Sequence, residues 1–356
     1  MNDMQSILFY VSCFLISGLF LHLGRKKKFS PFVIIGLLIP IVIGGLRYDV
    51  GTDYMTYIDN IALLNNLPLS VYVSDFSSYL EPTFYIFASI ANFFHYPNLV
   101  FFIYSAVSVL FFYKALHESR IKYVALAYVL FLLIMFPMSF NLVRQFAAVS
   151  IAVYAVVKLY NGDKKRYYLL TILAVLFHVS ALINIVALLI HRRINDKNKR
   201  SLSANKLIFG TVILTTVVGL GLYGLQKYGY LFDLSTVTAN LNFVPRLVML
   251  LIVLSLWYSA REVYRKYRLF LDLGLICIVL GLIGFIVPYG DRLALYFLPF
   301  IIVLFPTAMY YLMPKSKKHL TILAVLFVAI LYFVVSYYVI GSHAVLPYKS
   351  ILGVSV

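Results

Sequence analysis

Residues 5–28 read QSILFYVSCFLISGLFLHLGRKKK, an apolar run followed directly by four basic residues. The run is long enough for a membrane-spanning helix, which needs about 20 apolar residues. It is too long for the core of a signal peptide, and its basic residues follow the run instead of preceding it. Because loops rich in Lys and Arg stay cytoplasmic, we interpret residues 5–23 as an uncleaved span whose N-terminus lies outside.

The same alternation continues along the chain of 356 residues, with further basic clusters at 164–166, 192–200, 261–268 and 315–318. Hydrophobic residues make up 63% of the sequence and charged residues only 12%, whereas a soluble domain has about 25% charged residues. We therefore predict an all-α polytopic membrane protein that forms a single integral membrane domain over residues 1–356. The net charge of +17 is explained by orienting loops, and nothing indicates a nucleic-acid partner.

The clear candidates for spanning helices are 5–23, 30–46, 121–139, 142–160, 206–224, 243–260, 268–288, 292–312 and 319–340. Two further regions, 82–113 and 167–190, are ambiguous because polar residues interrupt them. If every basic cluster is cytoplasmic, the first must cross an odd number of times and the second an even number. We predict about 10–12 transmembrane helices in total.

In this arrangement residues 82–95 form a half helix, 98–113 form a full span, and 167–190 form a re-entrant hairpin that turns near His178. A re-entrant turn is tolerated in a membrane only where it faces protein or a water-filled cavity. A competing arrangement crosses twice at 82–113 and once at 167–190. It is disfavoured because it moves basic residues such as Lys164 to the outside.

Few charged residues then remain outside, and the first group lies in an outer loop at 47–81; a second outer loop is expected at 225–242. Arg47, Asp49, Asp53 and Tyr54 follow the second span closely. Gly51 lets the loop fold back over the end of the helix, so that both aspartates could face one pocket. The simpler interpretation is that Asp53 caps a short helix and that Arg47 reaches lipid headgroups.

Arg144 lies about one turn inside the span at 142–160. A charge at that depth is costly in lipid, so we expect Arg144 to face the interior of the bundle and to find a partner there. Glu81, Asn141 and Gln145 are expected nearby in the substrate-binding site. His178 stands in an apolar stretch, where it is either a satisfied core residue or a group that titrates near neutrality and acts as a base.

Three later residues, Arg246, Asp291 and Arg292, begin further spans from the outside, although Asp291 and Arg292 could simply pair with each other. With Arg47 and Arg144, the arginines of this set converge on one face. Arginine forms paired hydrogen bonds to phosphate oxygens and keeps its charge, which favours a lipid-linked phosphate or diphosphate as ligand. No Gly-rich phosphate loop, nucleotide fingerprint or metal-spaced cluster occurs, so no cofactor and no metal are expected.

The sequence resembles the EpsG family of bacterial exopolysaccharide proteins, which is similar to Wzy-type O-antigen polymerases. The resemblance covers roughly residues 45–190, and beyond them only hydropathy is shared. The matching residues are Arg47, Val50-Gly51-Thr52-Asp53-Tyr54, Tyr57, Glu81-Pro82, Asn141, Arg144, Gln145, Leu173-Ala174, Phe177-His178 and Ser180-Ala181-Leu182.

The resemblance implies polymerisation of undecaprenyl-diphosphate-linked repeat units on the outer face of the bacterial cytoplasmic membrane. The expected partners are lipid-linked oligosaccharides, membrane lipids and a possible chain-length regulator. We expect Arg144, with Arg47 or Arg246, to stabilise the departing diphosphate by fixed charge, without a metal. His178, or failing it Asp53, is expected to take the proton of the acceptor hydroxyl.

Two other functions stay open. An O-antigen ligase has similar spans and a similar lipid donor, but it usually carries one large outer loop between late spans, and the segment 225–242 is short. A transporter or flippase usually shows inverted repeats and charges at mid-membrane. Neither feature is evident here, apart from Asp272 near the inner end of one span.

Overall fold

A computed structural model describes residues 1–25, 30–65, 67–74, 81–195, 243–283 and 290–353. We number the α-helices of these residues α1 to α16 in chain order. They are Asp3–Gly24, Pro31–Leu46, Tyr54–Leu64, Leu69–Ser74, Pro82–Phe93, Leu99–Glu118, Val124–Ile134, Val143–Tyr160, Lys164–Phe177, Ile185–Asn195, Phe243–Ser259, Arg261–Lys266, Arg268–Ile283, Gly290–Ala294, Leu298–Leu312 and Lys318–Val334.

The helices confirm the predicted fold class. In the described part of the chain, α1, α6, α8 and the helical stretch Lys315–Val339 are each long and apolar enough to cross a membrane. Shorter apolar helices are Pro31–Leu46, Val124–Ile134, Leu250–Ser259 and Leu298–Leu312. The predicted span at 206–224 and the outer loop at 225–242 lie outside the described residues.

Helix α8 lies at the centre of the bundle, and α16 lies at its edge. Nearly all side chains of α8 are buried, because small residues such as Ala147, Ala148 and Ala155 let α6 and α9 approach closely. In contrast, Leu320 and Phe327 of α16 are exposed, as expected for a helix whose outer side faces lipid. Arg144, near the start of α8, is therefore held by a helix that is more enclosed than the other long apolar helices of the described residues.

One end of the bundle gathers the basic loops. The Tyr267 hydroxyl donates to the Arg120 carbonyl over 2.9 Å, which joins the loops at the starts of α13 and α7. The ammonium groups of Lys122 and Lys318 lie 5.1 and 3.8 Å from the centre of the Tyr310 ring. Clusters that are far apart in the sequence therefore share one end of the molecule, as the orientation rule requires.

A partly buried ion pair fastens α8 to α6 at this basic end. Lys158 pairs with Glu118, which also accepts a 2.7 Å hydrogen bond from the Tyr154 hydroxyl.

Replacing Lys158 with Met removes the charged hydrogen bond to Glu118, and we expect the free energy of unfolding to fall by about 1–2 kcal/mol. The exposed Lys165, changed in the same way, is the control. Thermal unfolding of the purified variants in one detergent measures the effect, and equal midpoints for both variants would contradict it.

The opposite end is closed by residues 341–353, which we call the C-terminal strap. The hydroxyl of Tyr10 in α1 donates to the Val345 carbonyl over 3.2 Å. The Tyr48 N–H donates to the Lys349 carbonyl over 2.9 Å, so the strap pairs with the loop that follows α2. The first helix thus begins at the end where the strap lies, which agrees with the predicted outer N-terminus.

The chain reverses direction at His178. Helix α9 ends at Phe177, a short 3-10 helix follows, and Asn184 already lies beside the beginning of α9. There its carbonyl accepts from the Tyr167 hydroxyl over 2.8 Å, and its side-chain amide donates to the Thr171 hydroxyl over 3.0 Å. The predicted hairpin is therefore present. Its first arm starts at the basic end, turns at His178, and its second arm returns toward the same end. A single crossing by residues 167–190 does not fit this path.

Helix α5 is a short helix, as predicted for residues 82–95. Its 12 residues span about 18 Å, which is less than the roughly 30 Å of a bilayer core. The helix begins with Pro82 and ends just before His95, whose positive φ of 51° breaks the helical path into α6. The start of α5 lies against the tip of the hairpin, since the Thr83 hydroxyl donates to the Leu176 carbonyl over 3.1 Å.

Candidate functional site

Three charged or titratable side chains meet where α5, α8 and the hairpin tip converge. Arg144, the second residue of α8, forms an ion pair with Glu81, which directly precedes α5. The other carboxylate oxygen of Glu81 lies 3.8 Å from Nε2 of His178. All three residues are site residues predicted from separate segments of the sequence, and the fold brings them together.

This group, the Arg144–Glu81–His178 cluster, is enclosed but not sealed. The three side chains keep 19%, 14% and 22% of their surface exposed, so a ligand can touch each of them. The guanidinium of Arg144 lies 6.0 Å from the ring centres of both Tyr57 and Phe84. Its Nε is buried and has no hydrogen-bond partner in the described structure.

The other side of His178 is held by its own turn and by the C-terminal half of the chain. Nδ1 of His178 lies 3.3 Å from the Ser180 backbone nitrogen and 2.7 Å from the Ser180 hydroxyl oxygen. That hydroxyl oxygen lies 2.9 Å from the Tyr296 hydroxyl oxygen. Tyr296 could not be selected from the sequence, because nothing distinguishes it among 30 tyrosines.

Gln145 and Arg292 extend the cluster toward the late helices. The Gln145 side-chain amide donates to the Arg292 carbonyl over 2.8 Å. Arg292, like Arg144, lies close enough to His178 for its positive charge to interact electrostatically with the imidazole. The short helix α14, which carries Arg292, therefore lies beside the hairpin tip, as its predicted place on the outer face requires.

Arg47 is buried in the same end of the bundle but does not touch the cluster. Its side chain is only 1% exposed, and the guanidinium lies 4.4 Å and 4.7 Å from the ring centres of Phe101 and Phe140. The Phe101 ring in turn packs at right angles on Tyr57, which lies beside Arg144. Two aromatic rings thus lie between the two arginines, and direct contact of Arg47 with a ligand stays a prediction.

The acids of the first outer loop have partners near them in the loop and the strap. Asp49 forms a 2.9 Å ion pair with Lys349, and Asp53 accepts a 2.9 Å hydrogen bond from the Thr52 hydroxyl. Asp53 precedes α3 without a capping hydrogen bond from its side chain. Tyr54 is buried and donates over 3.0 Å to Asn98. These contacts shape the loop, and a direct catalytic or binding role of the three residues stays untested.

The predicted fold-back of the loop at Gly51 is present. Gly51 has a φ of +97°, and a Cβ there would lie 2.5 Å from the side-chain oxygen of Asn141 and 2.9 Å from the Phe140 carbonyl oxygen. Its N–H donates to the Ala344 carbonyl over 3.0 Å. The Asn141 amide nitrogen lies 3.2 Å from Nδ1 of His343. Asn141 thus joins the loop and the strap to the start of α8.

Two predicted residues cannot be placed in this geometry. Arg246 and Asp291 belong to α11 and α14, but their side chains fall outside the described part of the chain. Among the described residues, no group of three or more His, Cys, Asp or Glu side chains could hold a metal ion.

A bundle of apolar helices with a charged cluster enclosed at its outer end defines a polytopic membrane protein with a polar site at one membrane face. The chain belongs to the EpsG family, whose model matches residues 30–350, and it is therefore a membrane protein of exopolysaccharide biosynthesis. The match is broader than the sequence motifs indicated, since it includes the C-terminal half with Arg292 and Tyr296. No curated protein and no solved structure matches the chain.

Proposed function

We propose that the protein polymerises undecaprenyl-diphosphate-linked repeat units on the outer face of the bacterial cytoplasmic membrane. The observation that carries the proposal is the Arg144–Glu81–His178 cluster, which is partly exposed at the end of the bundle opposite the basic loops. A partly exposed guanidinium suits a diphosphate, and an adjacent carboxylate and imidazole suit proton transfer.

The proposed reaction is a glycosyl transfer between two lipid-linked glycans. The hydroxyl oxygen of the acceptor attacks the anomeric carbon of the donor glycan, and the bond from that carbon to the diphosphate oxygen breaks. The electron pair leaves with the diphosphate, and Arg144 stabilises the negative charge that develops there. The proton of the acceptor hydroxyl passes to a side chain of the cluster.

The glycan length on the lipid tests this function. In a strain that lacks the protein, we expect the ladder of lipid-linked glycans to collapse to a single repeat unit exposed on the outer leaflet, and the wild-type gene to restore the ladder. Single units confined to the inner leaflet would instead support a flippase. A normal ladder with loss of glycan attached to lipid A would support a ligase.

A further inference from the structure

We infer that Glu81 is the general base of this site and that His178 acts beside it as a hydrogen-bond donor. The inference rests on the proposed function and deepens it, because it moves the proton acceptor from His178 to Glu81. It follows from the hydrogen bonds of the hairpin tip, which fix the tautomer of the imidazole ring.

Nδ1 of His178 accepts hydrogen bonds from the turn that follows it. A backbone N–H can only donate, and the N–H of Ser180 points at Nδ1 from 3.3 Å. Nδ1 must therefore carry a lone pair, and the hydrogen of the neutral ring lies on Nε2. The Ser180 hydroxyl, 2.7 Å from the same nitrogen, then donates to it as well.

The direction of the next hydrogen bond, between Ser180 and Tyr296, is fixed as well. Because the only hydrogen of the Ser180 hydroxyl is directed at His178, the 2.9 Å contact with Tyr296 requires the tyrosine to donate. The hydrogen bonds therefore run from Tyr296 to Ser180 and on to Nδ1 of His178. Tyr296 is a positioning residue, which holds the imidazole with its Nε2–H directed at Glu81.

Of the two candidate bases, His178 and Glu81, only Glu81 can accept the proton. Nε2 of His178 bears a hydrogen in this arrangement, so it cannot accept the proton of an incoming hydroxyl. Glu81 has one oxygen bound to Arg144, which favours the ionised carboxylate. Its other oxygen is 3.8 Å from His178 Nε2, which is beyond direct hydrogen-bond length but short enough for one acceptor hydroxyl to hydrogen-bond to both atoms.

The proton balance follows directly. The acceptor hydroxyl gives its proton to the oxygen of Glu81 that faces His178, while its oxygen forms the new glycosidic bond. The Nε2–H of His178 orients the hydroxyl by donating to its oxygen before attack. Glu81 afterwards loses the proton to water at the outer face, and the cluster returns to its starting state.

The test uses the purified full-length protein in proteoliposomes with purified lipid-linked repeat units as substrate. Glu81→Gln keeps the shape of the side chain and its bond to Arg144 but removes the base, so we expect kcat to fall about 10²–10⁴-fold. His178→Gln keeps a donor near the hydroxyl, and we expect a loss of about tenfold or less. The reverse order, with Glu81→Gln within tenfold of wild type and His178→Gln inactive, would overturn the inference.

Two further measurements separate a base from a structural residue. Added formate should restore activity to Glu81→Ala, whereas chloride at the same concentration should not; equal effects of the two salts would argue against a base. Rates are compared per monodisperse protein, which removes differences in folding. A wild-type protein that fails to extend the substrate would instead count against the proposed function itself.

The position of Tyr296 has its own test. Tyr296→Phe should lower kcat several-fold and leave KM unchanged, because the phenylalanine cannot donate to Ser180. In a His178→Gln background the same change should have no further effect, since the chain of hydrogen bonds then has no ring to orient. Additive losses in the double variant would show that Tyr296 does not act through His178.

Discussion

Replacement of Arg144 with Ala is expected to lower polymerisation about 10²–10³-fold, the usual effect of removing a preorganised charge from a site where negative charge develops. A terminal guanidinium nitrogen of Arg144 contacts Glu81, and its Nε has no partner in the described structure. Without it the departing diphosphate loses its stabilising charge, and Glu81 is left as an unpaired carboxylate. In cells the lipid-linked glycan should stop at one repeat unit, as read on a gel ladder.

Two variants control this experiment. Arg144→Lys keeps the charge beside Glu81 and so protects folding, but it loses the forked donor geometry; we expect an intermediate loss of activity. Arg166→Ala removes an exposed arginine near the start of α9, at the basic end, and should leave the ladder unchanged. Long chains made by Arg144→Ala protein at normal abundance would remove Arg144 from the mechanism.

Replacement of Asn98 with Ala is expected to destabilise the outer end of the bundle by about 3 kcal/mol or more, because it leaves three buried groups without partners. The Asn98 amide donates to the carbonyls of Gly45 and Arg47 over 3.0 and 2.8 Å, and it accepts from the Tyr54 hydroxyl over 3.0 Å. The side chain thus ties the end of α2 to the starts of α3 and α6. Asn98 is only 6% exposed, so water reaches few of these groups after the substitution.

Asn92 provides the matched control for Asn98. It lies near the end of α5, is only partly buried, and makes a single hydrogen bond, over 2.8 Å, to the Ile61 carbonyl. Asn92→Ala should therefore cost about a third as much, or roughly 1 kcal/mol. Heat-induced loss of the monodisperse peak in size-exclusion chromatography compares the two, and equal midpoints would contradict the role of Asn98.

The sequence was sufficient for the helical architecture because the rules that govern membranes are strict. Every spanning backbone group must be bonded internally, and basic loops stay on one side. Those rules alone required an even number of passes at 167–190, and the structure indeed turns the chain at His178. The choice of Arg144 followed from the cost of placing a charge near lipid, whereas Glu81 was one of the few charged residues expected outside and belonged to the residues that carry the family resemblance.

The arrangement inside the site could not be read in the same way. Tyr296 resembles every other tyrosine in an apolar run, and only its approach to Ser180 marks it. Arg47 was expected either to reach lipid headgroups or to join Arg144 on the diphosphate, but the rings of Phe101 and Phe140 enclose it. No periodic pattern in the sequence signals such an enclosure. The tautomer of His178 depends on one backbone N–H in a 3-10 turn, which a sequence does not specify.

The strap also determines when the outer end can assemble during synthesis. Asp49 and its ion-pair partner Lys349 are separated by 300 positions, so at about 5–20 residues per second Asp49 is made roughly 15–60 s before Lys349. Until α16 and the strap have been made, the loop that carries Arg47 and Tyr48 lacks its pairing partner in the strap. A chain that ends after α16 but before Lys349 therefore has its helices but lacks the ion pair with Asp49 that helps to close the outer end.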